Sequence, residues 1–334
     1  MNRRNFLQNA TYATGLALWL GALGRSARAE DTRKGDMIYR TLGRTGEQVS
    51  LLGVGGYHIG IQPDEQESIR IIRGAMDAGV NFLDNSWGYN DGQSEIRMGK
   101  ALKDGYREKA FLMTKVDGRT KASAARQLEE SLKRLDVETI DLWQFHEIIR
   151  MEDADRIFAE GGGMEAALEA KKAGKIRYIG FTGHKDPAVH LRALEVAGQH
   201  GFTWDTVQMP LNVLDAHFRS FEKHVLPELL KQNIGVLGMK PLASGDILKA
   251  KVASPVECLH YAMTLPTSVV ITGMDSMERL EQGLRAVRDF KPLDDTQLTA
   301  LLERGAEAAA TGQYEQFKTG TRFDATTHNP QWLG

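Results

Sequence analysis

The chain has one cysteine, Cys258, in 334 residues. That excludes an internal disulfide framework and any zinc site built on cysteines. Net charge is nearly absent, with 42 Lys and Arg against 44 Asp and Glu giving a formal −2. An electrostatic footprint for nucleic acid is therefore missing. There are only nine prolines, and no stretch rich in Pro, Gly or Ser reads as a linker between domains. What is present is ordinary for a globular protein, 42% hydrophobic and 26% charged, which argues against disorder, collagen and coiled coil. A chain of this length hides roughly 75% of its extended surface on folding. Length alone suggests about two domains, yet single α/β barrels commonly reach about 250 residues.

Residues Met1 to Ala29 contain four arginines (Arg3, Arg4, Arg25, Arg28), no lysine and no acid. The Arg3-Arg4 pair precedes Phe6-Leu7, a weakly apolar run spans Ala10 to Leu23, and Ala27-Arg28-Ala29 has the small-x-small form of a signal-peptidase site. The run is too short to span a bilayer, which needs about 20 residues. An arginine-rich transit peptide is the alternative. The arginine pair and the cleavage triplet instead resemble a twin-arginine signal, which exports proteins already folded. The expectation is a periplasmic protein cut after Ala29 and delivered by the twin-arginine machinery, with no stable membrane anchor. Its mature domain is residues 30–334, with formal charge −6 once the four arginines are removed.

The remainder alternates short apolar runs with amphipathic stretches. A hairpin is expected between Met37 and Ser50, around Gly43 and Gly46. Strands are predicted at Leu51–Val54, Asn81–Leu83, Ala110–Thr114, Ile140–Phe145, Ile176–Phe181, Thr206–Gln208, Gly235–Met239 and Ser268–Ile271. Helices are predicted near 65–78, 94–103, 121–135, 163–173, 187–198, 219–231, 255–263 and 276–287, ending where Asp136, Gly174 and Gly198 stand. Ile69, Ile72 and Met76 share one face of the first helix. Eight such pairs fit a (β/α)8 TIM barrel, with an N-terminal hairpin and a C-terminal helical extension. A doubly wound sheet should open with Gly-x-Gly-x-x-Gly, whereas the first turn reads Gly53-Val54-Gly55-Gly56-Tyr57.

In a barrel the C-terminal strand ends form the active face. Asp84 closes the second predicted strand, Tyr89 follows five residues later, Lys115 ends the third strand and His146 the fourth. Singly, each has a plain reading: a solvated lysine, a rim histidine, an Asp84-Asn85-Ser86 helix cap, a surface tyrosine. Jointly they converge on one pocket. The set resembles the catalytic tetrad of the aldo-keto reductase superfamily, with matching intervals of five, 26 and 31 residues. The resemblance runs from about Met37 to Ala286. It includes Leu42-Gly43-Arg44-Thr45-Gly46 as the opening hairpin and Lys175 to Phe181 as the fifth strand. Gln208 to Asn212 matches the sixth strand, and Pro241-Leu242-Ala243-Ser244-Gly245 the loop after the seventh.

The resemblance implies reversible hydride transfer between NADP(H) or NAD(H) and an aldehyde, ketone or sugar carbonyl, with no metal. Tyr89 is then the general acid/base, and Lys115 is expected to lower its pKa of about 10. Asp84 anchors the lysine, and His146 polarises the carbonyl. Implied cofactor contacts are Gly55, Gly56, Tyr57, Thr182, Gln208, Met239, Lys240, Pro241, Leu242, Ser244, Gly273, Asp275, Ser276 and Arg279. Three positions depart from the family pattern. Thr182-Gly183-His184 replaces a Ser-Asn pair, shifting carboxamide recognition toward Gln208. Met239 stands where an aromatic ring often stacks on the nicotinamide, with Lys240 next to it and within reach of the pyrophosphate. Asp275 replaces a base that meets the 2′-phosphate, which weakens NADP(H) preference relative to the family. Tyr57, His58, Trp87 and Glu147 are expected around the substrate. Two other readings remain: a Schiff-base lyase using Lys115, and a non-catalytic cofactor-binding barrel.

Overall fold

The computed structural model describes residues 31–334; the segment read as an export signal, through Ala29, lies outside the described residues. Strands β1 (Thr32–Lys34), β2 (Met37–Thr41) and β3 (Gln48–Ser50) form an antiparallel sheet. The β2–β3 pair, in register Tyr39↔Ser50, is the expected hairpin; β1 adds a strand that the sequence pattern did not announce. Between β2 and β3 Gly43 adopts φ +50°, and a Cβ there would run into the backbone of Asn233–Gly235. Glycine is thus required for the turn to press against the barrel floor. Leu42 and Val49 enter that floor and are fully buried among Phe82, Phe111, Met113, Leu142, Leu237, Val269 and Ile271. Burial of each such aliphatic side chain contributes on the order of 1.5–3 kcal/mol.

Eight parallel strands close the barrel: β4 (Leu52–Gly55), β5 (Phe82–Asp84), β6 (Phe111–Val116), β7 (Ile140–Phe145), β8 (Ile176–Thr182), β9 (Thr206–Pro210), β10 (Gly235–Met239) and β11 (Val269–Gly273). Each pairs with its sequence neighbour, and β11 returns to β4 in register Val270↔Leu52 to Gly273↔Gly55. This is the (β/α)8 topology, and it brings the C-terminal ends of all eight strands to one face.

Helices cover the outside. The first, Glu65–Asp77, is capped by Asp64, whose side chain accepts from Gln66 N–H, and buries Ser68, Ile71, Ile72, Ala75 and Met76. Ile69 lies at the edge of that face. The helix expected over 219–231 is split into Phe221–His224 and Leu226–Lys231; Pro227 lacks an amide proton and begins a new first turn. Gly198 does not end its helix, which continues to Gln199, and Gly201 at φ +65° makes the turn. Helix Glu152–Phe158 was not foreseen. The C-terminal extension begins with Asp295–Ala309, held by an Asp294–Gln297 capping box. Residues 315–334 then return across the active face.

Candidate active site

Asp84 is the last residue of β5, Lys115 lies near the end of β6, and His146 follows β7, with its N–H donating to Val116 C=O at 2.7 Å. Tyr89 stands on a single turn of helix whose next two residues, Asn90 and Asp91, have φ of 51° and 53°. Such left-handed backbone is costly for residues other than glycine. The Asn90 amide offsets it by donating to Tyr57 C=O at 2.8 Å and Ser94 Oγ at 2.9 Å. The four side chains do meet. Lys115 Nζ donates to an Asp84 carboxylate oxygen, to Asn85 C=O at 2.7 Å and to the Tyr89 hydroxyl at 3.3 Å.

Burial dominates the electrostatics of this cluster. It raises the Asp84 pKa against the pull of Lys115, and lowers the Lys115 pKa against the pull of Asp84. The Tyr89 phenol is held well above its ordinary value, first by burial and then by the charges of Asp84, Glu147 and Asp117. The expected lowering by Lys115 is not met, because Asp84 absorbs much of the ammonium's field while burial disfavours phenolate. Tyr89 therefore rests as a neutral phenol.

His146 has a partner that the sequence reading missed. Its Nδ1 lies 2.9 Å from Asp117 Oδ1 and 3.3 Å from Ser86 Oγ. An ionised carboxylate only accepts, so Nδ1 carries the proton and Nε2 is the nitrogen left for a ligand. Buried Arg119 ties this region together. It donates to the carbonyls of Asp117, His146 and Glu147 at 2.7, 2.7 and 2.9 Å and pairs with Asp153. The Thr-Lys-Val-Asp-Gly-Arg run from Thr114 to Arg119 carried that signal, with two charged residues just beyond a strand end.

Two residues expected beside the substrate hold the C-terminal segment. Glu147 accepts from the N–H groups of Ala325 and Thr326 at 2.9 and 2.8 Å. Trp87 donates to Glu130 at 2.6 Å and meets Trp332 edge to face at 5.3 Å. Leu333 C=O accepts from Arg119 N–H at 2.8 Å, closing the strap. Tyr57, half exposed, packs edge to face on Tyr89 at 5.6 Å.

A cleft of about 340 Å³ runs from Tyr89 and Asp84 along the ends of β9, β10, β11 and β4. Among the predicted cofactor residues, Gly55, Tyr57, Gln208, Met239, Lys240, Pro241, Leu242, Ser244, Gly273, Asp275 and Arg279 line it. Gly56, Thr182 and Ser276 do not. Gly56 packs where a Cβ would strike Asp84 C=O. Thr182 is buried, its hydroxyl 3.9 Å from Met239 Sδ. Ser276 caps the helix Met277–Arg288, accepting from Arg279 N–H. The cleft also takes in His58, Leu259, Thr272 and Gln282. Gly183 has a steric reason: a Cβ would collide with Ile148 C=O and approach the His190 ring. Gln208 Oε1 is buried without a hydrogen-bond partner among the described residues, while the Gln208 side chain also hydrogen-bonds Asp84. Because Gln208 lines the cleft, this acceptor is available to a ligand's donor. An amide-bearing ring such as nicotinamide fits it.

Residues 51–257 match the model of the aldo/keto reductase family. The chain is 33% identical over 229 residues to the uncharacterized oxidoreductase YrpG of Bacillus subtilis, covering 63% of this chain and 68% of that one. It is 28% identical over 307 residues to the L-galactose dehydrogenase of Arabidopsis thaliana, covering 78% and 91%. Among solved structures it is similar to the holo form of the aldo-keto reductase AKR11C1 from Bacillus halodurans. That match has TM-score 0.69 and 25% identity, over 84% of this chain and 99% of the other. With the closed barrel and the tetrad at its C-terminal face, these matches lead to one conclusion: the chain belongs to the aldo/keto reductase family.

Proposed function

We propose that this oxidoreductase of the aldo-keto reductase type is NAD(P)(H)-dependent and reversibly reduces the carbonyl of an aldehyde, ketone or sugar. The observation that carries the reading is Lys115 Nζ, which joins Asp84, Asn85 C=O and the Tyr89 hydroxyl beneath the cleft that Asp84 and Tyr89 line. When bound, the dinucleotide supplies or takes up the hydride. Gln208, Met239, Pro241 to Ser244 and Gly273 would hold it, with Asp275 and Arg279 at the outer end of the cleft.

The protein's own groups handle the oxygen. The neutral Tyr89 hydroxyl donates its proton to the carbonyl oxygen as negative charge develops there. Lys115 remains against the phenol oxygen and stabilises the phenolate left behind. Asp84 keeps that lysine in place. His146, with Nδ1 committed to Asp117, presents Nε2 to orient and polarise the same oxygen. A Schiff-base role for Lys115 is disfavoured because its nitrogen already serves three acceptors. The deciding measurement is oxidation of NADH or NADPH by the purified protein over a carbonyl panel. Dinucleotide binding without turnover across that panel would support the non-catalytic barrel instead.

Asp275 supports tolerance of NAD(H), since an acid repels a 2′-phosphate and can accept a ribose hydroxyl. Fluorescence titration with NADH and NADPH tests this, and much tighter NADPH binding refutes it. Export by the twin-arginine route rests on residues Met1 to Ala29 alone. Translocation of a folded chain lets the cofactor travel already bound, so purified periplasmic protein should carry dinucleotide.

A further inference from the structure

Lys240 follows β10 directly and adopts φ +53°. Its carbonyl accepts from Asn212 Nδ2 at 3.3 Å and Ala243 N–H at 2.9 Å, which fixes the turn that carries the side chain. The ammonium lies over the rings of Phe323 and Phe317, 4.8 and 5.3 Å from their centroids. The residue shares the cleft with Tyr89 and Asp84. Among the described residues its nitrogen has no ion-pair or hydrogen-bond partner.

Every carboxylate that acts on it is already engaged. Asp84 holds Lys115, Glu147 accepts from Ala325 and Thr326, and Asp324 pairs with His184 and Lys185. Fully buried cations among the described residues are paired, Lys318 with Asp215 and Glu315 and Arg119 with Asp153. The Lys240 side chain is half-buried in the cleft, and a partly desolvated ammonium without a counterion is a seat for an anion. Burial does push the Lys240 amine down to about 8.

Position separates two sources of the missing anion. The rings beneath the ammonium belong to the C-terminal strap. Phe323 adjoins Asp324 to Thr326, and the amides of Ala325 and Thr326 donate to Glu147, next in sequence to His146, so the ammonium faces the tetrad end of the cleft. We infer that Lys240 receives a carboxylate borne by the carbonyl substrate, so that the favoured substrates are oxo acids. This inference rests on the carbonyl-reductase reading above. It makes the hydride acceptor a molecule with two recognised ends, the carbonyl at Tyr89 and His146 and the acid at Lys240.

The test compares aldehydic acids of two to six carbons with the neutral aldehydes of equal length, using wild type, Lys240→Met and Lys240→Arg. Wild type should favour one acid by about tenfold or more in kcat/KM, the scale of a charge-assisted hydrogen bond. Lys240→Met should abolish that advantage, chiefly through KM, and Lys240→Arg should retain much of it. Calorimetry supplies a second readout: butanoate should bind wild type more tightly than butanamide, and lose that difference in Lys240→Met. Equal kcat/KM for acids and neutral aldehydes at every length overturns the inference and leaves the reductase reading standing. Weakened NADH or NADPH binding in Lys240→Met, with the acid advantage intact, assigns the ammonium to cofactor phosphate and also overturns it. No reduction of any aldehyde sinks the reductase reading instead, and butanoate binding then decides the anion site alone.

Discussion

The carboxylate of Asp117 lies 2.9 Å from His146 Nδ1, and its other oxygen is buried without a partner among the described residues. The pair gives the imidazole a single orientation and tautomer, because only Nδ1–H can satisfy that acceptor. Asp117→Asn offers either a donor or an acceptor and no longer selects Nε2 for the substrate. Carbonyl reduction should fall at least tenfold in kcat, with dinucleotide affinity preserved. Nitrogen NMR of the His146 ring should show a changed tautomer population. An unaltered ring spectrum and wild-type kcat would remove Asp117 from the positioning of His146.

Tyr89→Phe removes the proton donor while keeping the ring that packs on Tyr57 and His146. Reduction should drop by orders of magnitude, with cofactor binding largely intact; near-normal turnover would refute the assignment. The raised phenol pKa sets the pH dependence. Reduction needs the neutral phenol, which persists below that raised pKa, so Tyr89 should impose no loss of reduction up to about pH 9. Alcohol oxidation needs phenolate, so its rate should climb over the same range.

Gly183→Asn would install the side-chain amide that the family pattern named above places after the fifth strand. Here its Cβ meets Ile148 C=O, a backbone atom that cannot step aside. The substitution should destabilise by about 1–3 kcal/mol and fail to tighten cofactor binding. Thermal denaturation and dinucleotide titration check both parts.

Glu147→Gln keeps one acceptor oxygen for Ala325 and Thr326 but removes the charge that strengthens both bonds. Hydrogen exchange at these two amides should accelerate, with smaller changes in the barrel strands. Uniform exchange across the chain, unchanged from wild type, would show that the strap is held elsewhere.

Glu222 is fully buried, accepts from the Tyr261 hydroxyl at 2.7 Å, and has its other oxygen unpartnered among the described residues. Burial pushes its pKa from 4.5 up to about 7. The folded protein thus holds a proton that the unfolded chain releases, a contribution present below pH 4.5 and lost as pH rises toward 7. Glu222→Gln lacks this loss. Its stability relative to wild type should increase by up to ~1.4 kcal/mol per pH unit across that window, then level off. Urea unfolding at several pH values measures it.

Much of the barrel was legible because the chain's periodicity is local. Ile140–Phe145 and Gly235–Met239 matched their predicted bounds, and Lys121–Leu135 matched as a helix between Thr120 and Asp136. The tetrad was legible because strand ends in a barrel share one face, so linear spacing already implies convergence. Asp117 escaped because nothing in Val116-Asp117-Gly118 states which ring its carboxylate meets. The roles of Glu147 and Trp87 escaped for a related reason: their partners, Ala325, Thr326 and Trp332, lie far along the chain. The direction of the Tyr89 shift needed the actual burial, since a neighbouring lysine alone predicts the opposite sign.

The strap also ties the active face to distant stretches of the chain. Ser123 Oγ donates to Leu333 C=O across 210 positions of sequence, and Gln127 donates to Trp332 C=O. Swinging residues 325–334 away would free the Glu147 carboxylate and uncover this face without breaking a single barrel strand. Access to the cleft can thus change at a cost far below that of unfolding the barrel.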